Sequence, residues 1–180
     1  MFEIHLLMMR KFLILLLLIT LYSCKEQPKE LSKFNENDTV EVYNFAELES
    51  FLNSTSDKIF IINFWATWCK PCVKELPYFQ ELHDTYKYEN VKVILVSLDF
   101  PDTFESQLIP FIEKKKITPQ VILLDDPDEN TWIPKIDESW SGALPATLIY
   151  SNNKRAFYEQ SFTKESLFKE IEKFIKIEKL

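Results

Sequence analysis

Apolar and polar positions alternate along residues 39–180 as they do where strands and helices follow one another. Two near-continuous apolar runs, Lys58–Ala66 and Val91–Leu98, are rich in β-branched and aromatic residues, which is typical of buried central strands. Apolar residues at helical spacing follow the first run over Cys69–Tyr88 and recur near the C-terminus over Lys164–Ile177. This succession of the two periods predicts the α/β class.

The shorter elements are predicted from the same patterns. Helical spacing is found over Phe45–Leu52 and Phe104–Lys116, whereas Asp125–Ser141 has no clear periodicity. Short strands are predicted at Thr39–Tyr43, Gln120–Leu124, Ala146–Tyr150 and Arg155–Gln160.

The N-terminal part of the chain has the pattern of an export signal. Arg10 and Lys11 precede ten apolar residues, Phe12–Leu21, which is the length of a signal-peptide core, whereas a membrane-spanning helix needs about 20 residues. The residues up to Cys24 resemble the bacterial lipoprotein box, which implies cleavage directly before Cys24 and lipid modification of its thiol. We therefore expect a lipoprotein signal peptide at residues 1–23, and the alternative is an uncleaved N-terminal anchor.

A polar segment separates Cys24 from the predicted elements. Residues 24–38 have almost nothing to bury, so we expect a flexible tether there and the folded domain at residues 39–180. Both interpretations of the N-terminus hold the domain outside the cytoplasm and attached to a membrane. With a lipid on Cys24, the expected location is the bacterial cell envelope, with the domain facing the periplasm.

Composition excludes several classes of protein. The 180 residues are 46% apolar and 27% charged, which excludes a disordered chain, a collagen-like chain and a multi-span membrane protein. The net charge of −7 makes a nucleic-acid partner unfavourable, because phosphate contacts need a basic face. The single glycine, Gly142, excludes a glycine-rich phosphate loop, and three cysteines are too few for a disulfide framework.

Two of the cysteines form a Cys-x-x-Cys pair between the first buried strand and the long helix. Cys69 and Cys72 at a helix start are close enough to form a disulfide, and the partial positive charge of a helix N-terminus favours a thiolate there. Lys70 adds a positive charge, and Pro71 suits the first helical turn. We therefore predict that Cys69 is the nucleophile and Cys72 the resolving thiol of a redox-active disulfide.

A metal-binding or structural Cys-x-x-Cys is the alternative. Zinc would need two more ligands, and the two histidines are His5 in the predicted signal and His83 on the long helix. The strand before the pair and the helix after it favour the redox interpretation. We therefore expect neither a metal nor another cofactor.

The residues around the pair resemble a known superfamily. The segment FWATWCKPC, followed by Glu75-Leu76-Pro77, is similar to the active site of the thioredoxin-like superfamily, and specifically to its TlpA/ResA-like branch of membrane-tethered thiol-disulfide oxidoreductases. The likeness covers roughly Phe45–Leu180. It implies a thioredoxin-like fold, with a central mixed β-sheet flanked by helices.

The same resemblance implies a substrate-binding set. In such folds a cis-proline precedes a strand beside the disulfide, and Ala143–Thr147 (ALPAT) places Pro145 there. Leu144 would offer its backbone groups to the substrate in strand-like pairing, and Trp68 would be exposed beside Cys69. The resemblance therefore implies that Trp68, Leu144 and Pro145 bind substrate.

Four neighbouring residues are given smaller roles. Trp65 is expected to pack under the active-site loop, and Asp99 is interpreted as a turn residue after the second buried strand. Trp140 and Gly142 stand just before Pro145, where they are expected to line a substrate groove.

A carboxyl group is predicted beside the resolving thiol. Glu75 follows Cys72 by three residues on one helix, so the two share a face, and a desolvated carboxyl group there can relay a proton. The TlpA/ResA-like branch has Glu at the matching position, and the alternative is a solvated helix glutamate. Thioredoxin has a buried Asp where this chain has Asn63, as the branch commonly does, and Gly where it has Lys70.

The resemblance implies a protein-disulfide reductase. Expected substrates are exported proteins or apocytochromes, with electrons supplied by a membrane donor, and we expect a monomer. A peroxiredoxin-type thiol peroxidase is an alternative, but its Pro-x-x-x-Thr-x-x-Cys motif is absent, since no proline precedes Thr67 in that position. A strongly oxidising DsbA-like protein would need a long helical insertion. A non-catalytic binding module on a lipid tether is an alternative of a different class, and intact Cys69 and Cys72 argue against it.

Overall fold

The computed structural model describes residues 40–178. The predicted signal peptide, the tether and Cys24 lie outside the described residues. No helix within 40–178 is long and apolar enough to cross a membrane. In chain order the elements are β1 (Glu41–Tyr43), α1 (Phe45–Leu52), β2 (Ile59–Trp65), α2 (Lys70–Tyr86), β3 (Val91–Ser97), α3 (Ile109–Lys115), β4 (Gln120–Leu124), α4 (Glu129–Ile136), β5 (Ala146–Tyr150), β6 (Arg155–Tyr158) and α5 (Lys164–Glu178).

The six strands form one mixed sheet in the order β1-β4-β3-β2-β5-β6. β1, β4, β3 and β2 run parallel to one another, whereas β5 pairs antiparallel with β2 and with β6. All seven residues of β2 are buried, as the near-continuous apolar run predicts for a central strand. The prediction of an α/β fold with a central mixed sheet is confirmed.

Helices cover both faces of the sheet, and β2 contributes to both cores. Its Ile61 and Trp65 belong to the cluster that contains apolar residues of α2 and α5, whereas Phe60 and Phe64 belong to the cluster with α1 and α4. Because side chains alternate between the faces of a strand, Asn63 lies on the α2 side. A polar side chain in the middle of the central strand therefore faces the helix that begins at the cysteine pair.

One helix was not predicted. α4 lies within the segment whose sequence has no clear periodicity, and it buries only Trp132 and Ile136. Two buried residues one turn apart, with Pro134 between them, are too few to give a recognisable helical pattern in the sequence. The remaining predicted elements agree with the structure to within two residues at each end, except the segment after β3.

The predicted helix over Phe104–Lys116 is divided into two parts, and a short 3₁₀ turn comes before it. A 3₁₀ turn at Pro101–Thr103 and a π-helical turn at Phe104–Leu108 come before α3, which alone has α-helical hydrogen bonding. Pro110 lies in the first turn of α3 and has no N–H to donate to a preceding carbonyl. Regular α-helical hydrogen bonds are therefore made only by the N–H groups after it.

Candidate active site

The cysteine pair lies where β2 ends and α2 begins. A disulfide with an S–S distance of 1.98 Å joins Cys69 to Cys72, and Cys69 is the N-cap residue of α2. The Cys72 N–H donates to the Cys69 sulfur at 3.3 Å, in the position that a capping oxygen usually takes. The Cys69 sulfur therefore lies at the positive end of the α2 dipole, where a thiolate is stabilised.

The two cysteines differ in their exposure to solvent. Cys69 keeps 6% of its surface exposed, whereas Cys72 is completely buried. Their neighbours Lys70 and Pro71 are exposed on the first turn of α2. Of the two cysteines, only Cys69 therefore has any surface that another molecule can contact.

The proline loop lies at the same edge of the sheet. The peptide bond between Leu144 and Pro145 is cis, the conformation that the resemblance implies. Ala146 pairs with Phe64 near the end of β2, so Pro145 lies beside the loop that leads to Cys69. Pro145 is buried and Leu144 is half-buried. The structure thus brings the proline loop and the cysteine loop together.

Glu75 lies inside the protein, one turn of α2 after Cys72. It is 1% exposed, and its Oε1 accepts a hydrogen bond from Asn63 Nδ2 at 3.2 Å. Its Oε2 accepts from the backbone N–H of Phe162, in the segment before α5, at 2.6 Å. Asn63 Nδ2 also lies 3.1 Å from Thr147 Oγ1 on β5. Hydrogen bonds from β2 and from the segment before α5 therefore hold this carboxyl group in place.

Burial changes the protonation of this group. Desolvation raises the pKa of Glu75 to about 7, and the hydrogen bonds from Phe162 and Asn63 oppose the rise. A carboxyl group with this pKa exchanges a proton readily near neutral pH. The solvated-glutamate alternative is therefore wrong for Glu75.

A second buried carboxylate fixes the active-site loop. Asp99 is 2% exposed, and its two oxygens accept the Thr67 N–H at 3.0 and 3.1 Å. The Thr67 hydroxyl donates to Asp99 Oδ1 at 2.5 Å, and the Ser97 hydroxyl donates to Oδ2 at 2.7 Å. Asp99 is thus more than the turn residue that the sequence predicts. Its position directly after β3, the parallel neighbour of β2, is the signal that places it against the cysteine loop.

The tryptophans of the motif take opposite environments. Trp65 is fully buried, and its ring lies 5.5 Å from that of Phe111. Trp68, next to Cys69, is 55% exposed. Trp65 therefore packs beneath the loop as expected, and Trp68 presents its ring to solvent beside the disulfide.

Trp140 packs mainly inside the protein. It is 5% exposed, packs its ring 4.8 Å from that of Phe64, and donates its Nε1–H to the Ala143 carbonyl. Gly142 has a φ of +89°, a conformation that side-chain-bearing residues rarely adopt, and Glu159 accepts the N–H groups of Ser141 and Ala143. The hydrogen bonds of Trp140 and Glu159 thus stabilise the segment that leads into the proline loop.

A cleft runs along α2 beyond the cysteines. It has a volume of about 460 Å³, and its lining includes Val73, Pro77, Phe111 and Ile117 but neither cysteine. Within 40–178 no group of three or more His, Cys, Asp or Glu side chains is arranged to hold a metal ion. The chemistry that the arrangement can perform is thiol-disulfide exchange at Cys69 with a proton acceptor at Glu75.

Comparison with known proteins identifies relatives with this site region. Residues 39–155 match the model of the AhpC/TSA family. Thiol-disulfide oxidoreductase ResA of Bacillus thuringiensis subsp. konkukian is 38% identical over 81 residues, which cover 45% of this chain and 46% of that protein. The chain therefore spans about half the length of that relative. ResA of Geobacillus kaustophilus is 31% identical over 127 residues, covering 69% of this chain and 67% of the relative.

The fold also has solved relatives. A thioredoxin-related protein from Neisseria meningitidis serogroup B superimposes with a TM-score of 0.55 at 22% identity, covering 64% of this chain and 84% of the other. A DsbF homologue from Corynebacterium diphtheriae gives a TM-score of 0.52 at 24% identity, covering 66% and 73%. At these identities the likeness bears on the fold alone. The chain belongs to the AhpC/TSA family and has a thioredoxin-like fold.

Proposed function

We propose that this protein is a thiol-disulfide oxidoreductase that reduces disulfides of exported proteins through Cys69 and Cys72. The observation that carries the proposal is the geometry of the pair. Cys69, which keeps a small exposed surface, lies at the start of α2, the fully buried Cys72 is bonded to it, and a buried carboxyl group lies one turn of α2 further on. The activity named for the ResA relatives supports it.

The first step needs Cys69 as a thiolate in the reduced protein. The N-terminus of α2 and the Cys72 N–H favour that negative charge. The thiolate attacks one sulfur of a substrate disulfide, forms a mixed disulfide with it, and releases the other substrate sulfur as a thiolate. Buried Cys72 takes no part in this step, because a substrate cannot reach its sulfur.

The second step needs Cys72 to lose its proton. Glu75 follows it by one turn and accepts that proton in its ionised form, because its pKa of about 7 leaves an appreciable carboxylate fraction at neutral pH. The Cys72 thiolate then attacks the Cys69 sulfur and expels the second substrate thiolate. Two electrons pass to the substrate, and the protein is left with the Cys69–Cys72 disulfide.

Substrate binding is assigned to the loops on either side of the disulfide. The Leu144 backbone, in the loop before β5 and next to the end of β2, would pair with an extended substrate segment as an added strand. Trp68 offers an exposed ring on the cysteine loop. A membrane electron donor would return the pair to the dithiol, and neither cofactor nor metal enters the proposed steps.

Reduction of insulin by dithiothreitol tests the proposed activity. Catalytic amounts of the protein are expected to accelerate precipitation of the insulin B chain, because Cys69 exchanges with insulin disulfides faster than dithiothreitol does. Consumption of hydrogen peroxide in parallel distinguishes a thiol peroxidase. Peroxide turnover without insulin reduction would contradict the proposal, and the absence of both activities would favour a binding module.

We also propose that the domain is a monomer held in the bacterial cell envelope by a lipid on Cys24 and facing the periplasm. Two positive charges, ten apolar residues and a cysteine in lipoprotein-box context support this proposal. The net charge of −7 gives no attraction to anionic lipid headgroups, so attachment would rest on the acyl chains.

The Cys24→Ser variant is expected to abolish maturation of the chain. Mass spectrometry of membrane fractions should find a mature N-terminus at Cys24 carrying acyl chains in the wild type and none in the variant. A chain starting at about Phe34 should be soluble and keep its full disulfide-reductase activity, because both reacting thiols lie within it. A folded but inactive chain of this kind would assign Cys24 or the tether to the chemistry.

A further inference from the structure

Two aromatic rings are exposed together beside the disulfide. Trp68 is 55% and Phe100 is 65% exposed, and their rings stack with centroids 6.5 Å apart and planes 25° apart. Single exposed hydrophobic residues are ordinary on protein surfaces, whereas adjacent ones next to a reacting group mark a contact site. Within 40–178, the large hydrophobic side chains that are exposed are Val42, Trp68, Tyr88 and Phe100.

Hydrogen bonds to the buried Asp99 carboxylate fix the backbone next to both aromatic residues. Thr67 and Asp99 directly precede Trp68 and Phe100, and the Asp99 carboxylate accepts both the N–H and the hydroxyl of Thr67. On its other side, the Phe100 carbonyl accepts hydrogen bonds from the N–H and the hydroxyl of Thr103, each at 2.9 Å. The backbone that carries the two rings is therefore fixed in advance, so little entropy is lost in ordering that backbone when a partner binds.

The sheet order sets these rings opposite the proline loop. β2 lies between β3 and β5, so its cysteine loop lies between the loop after β3 and the loop before β5. The Leu98 N–H donates to the Trp65 carbonyl at 2.8 Å, which continues the β2–β3 pairing towards Phe100. A polypeptide bonded to Cys69 would therefore meet Leu144 on one side and the aromatic pair on the other.

We propose that Phe100, together with Trp68, determines which disulfides this protein reduces. The two rings form an apolar surface for an aromatic or large aliphatic side chain that neighbours the substrate cysteine in an unfolded or extended polypeptide. Burial of such a side chain against stacked rings gives both apolar contact and ring packing. This inference rests on the proposed oxidoreductase function and adds a preference in its substrates.

Two peptide disulfides that differ at one place test the preference. One peptide carries Phe directly beside the cysteine, and the other carries Ser at the same place. Each peptide, at several concentrations, is mixed with the pre-reduced protein, and the rate of a single turnover is measured. The wild type is expected to reduce the Phe peptide about tenfold more efficiently, which corresponds to about 1.4 kcal/mol. The difference should lie in the concentration that gives half-saturation, because the rings bind and do not react.

Phe100→Ser is expected to lower that ratio from about ten towards one. Phe100→Tyr keeps the ring and should keep the ratio. Tyr88→Ser is the matched control, because it removes a ring that is 91% exposed in the turn before β3, at the opposite end of that strand from Phe100. The control is expected to retain the wild-type ratio.

The outcomes separate this inference from the proposed function. A wild-type ratio near one, or a ratio that Phe100→Ser leaves unchanged, would overturn the preference alone. Equal slowing of both peptides in Phe100→Ser would mean that the ring only supports the loop, and it would overturn the preference as well. A wild type that reduces neither peptide would overturn the oxidoreductase function and this inference with it.

Discussion

Cys72→Ser is expected to accumulate mixed disulfides with substrate proteins, whereas Cys69→Ser should lose at least about a thousandfold in disulfide reduction and form no such adducts. The structure gives the reason, because Cys69 keeps 6% of its surface exposed and Cys72 none. A substrate bonded to Cys69 leaves only through attack by Cys72. Without that thiol the intermediate persists.

Non-reducing gels and mass spectrometry of the Cys72→Ser protein, mixed with oxidised insulin, measure the trapped adduct. The double variant lacking both thiols is the control for non-specific capture. Alkylation of the reduced wild type at pH 6 gives a second measurement, because the thiolate at the start of α2 should react first. Preferential labelling of Cys72 would reverse the two roles and contradict the proposed mechanism.

The central elements of the fold were predictable because each carries its own pattern. β2 and β3 are buried on both faces and appear in the sequence as unbroken apolar runs. α4 is not predictable in this way, because it is stabilised by the tertiary packing of Trp132 and Ile136, and two buried residues do not establish a helical period. The segment after β3 is divided into several turns because of Pro110 and because the chain must return to the sheet at β4. The local hydrophobic pattern carries no information about the position of that return.

The site was predictable where its residues are close in sequence. Cys69, Cys72 and Glu75 share one helix start, so their spacing alone brings them together. Asp99 lies 32 residues from Thr67, and its hydrogen bonds to that residue appear only once β2 and β3 are paired. The N–H of Phe162 that reaches Glu75 is 87 residues away, and no local signal marks a backbone donor.

The stacking of Phe100 on Trp68 depends on the same strand pairing. The motif predicts Trp68 beside the nucleophile, whereas Phe100 has no predicted role, because a single aromatic residue after a strand carries no signal of its own. Only the order β3-β2-β5 puts the two loops side by side at one edge of the sheet. The reacting groups are thus close together in the sequence, whereas the contact between Trp68 and Phe100 depends on how the strands pair in the sheet.

Glu75→Gln is expected to slow the resolution of the mixed disulfide by about a hundredfold near pH 8. In the wild type this step should accelerate as pH rises through about 7, where Glu75 becomes a carboxylate able to accept the Cys72 proton. Gln has nearly the same shape but does not titrate, so the variant should lack that rise. Single-turnover rates from pH 5 to 9 measure it, and an unaltered pH–rate profile in the variant would remove Glu75 from the mechanism.

The same substitution should change how stability depends on pH. Burial raises the pKa of Glu75 from 4.5 to about 7, so the folded protein binds this proton more tightly than the unfolded chain. The free energy of unfolding is therefore unaffected by this group below pH 4.5, falls between pH 4.5 and 7, and by pH 8 has lost about 3 kcal/mol. Glu75→Gln removes this dependence, so the stability of the variant relative to wild type should rise by about that amount from pH 4.5 to 8.

Urea unfolding of the disulfide form at both pH values measures the difference. Glu89→Gln, at an exposed glutamate in the turn after α2, controls for loss of one negative charge and should keep the wild-type dependence on pH. The stability measurement also tests whether slow resolution in Glu75→Gln results from loss of a carboxyl group whose pKa is raised by burial. A variant that resolves mixed disulfides slowly yet has the wild-type pH dependence of stability would mean that Glu75 is already ionised in the folded state. The rise of its pKa by burial would then not underlie the proton transfer.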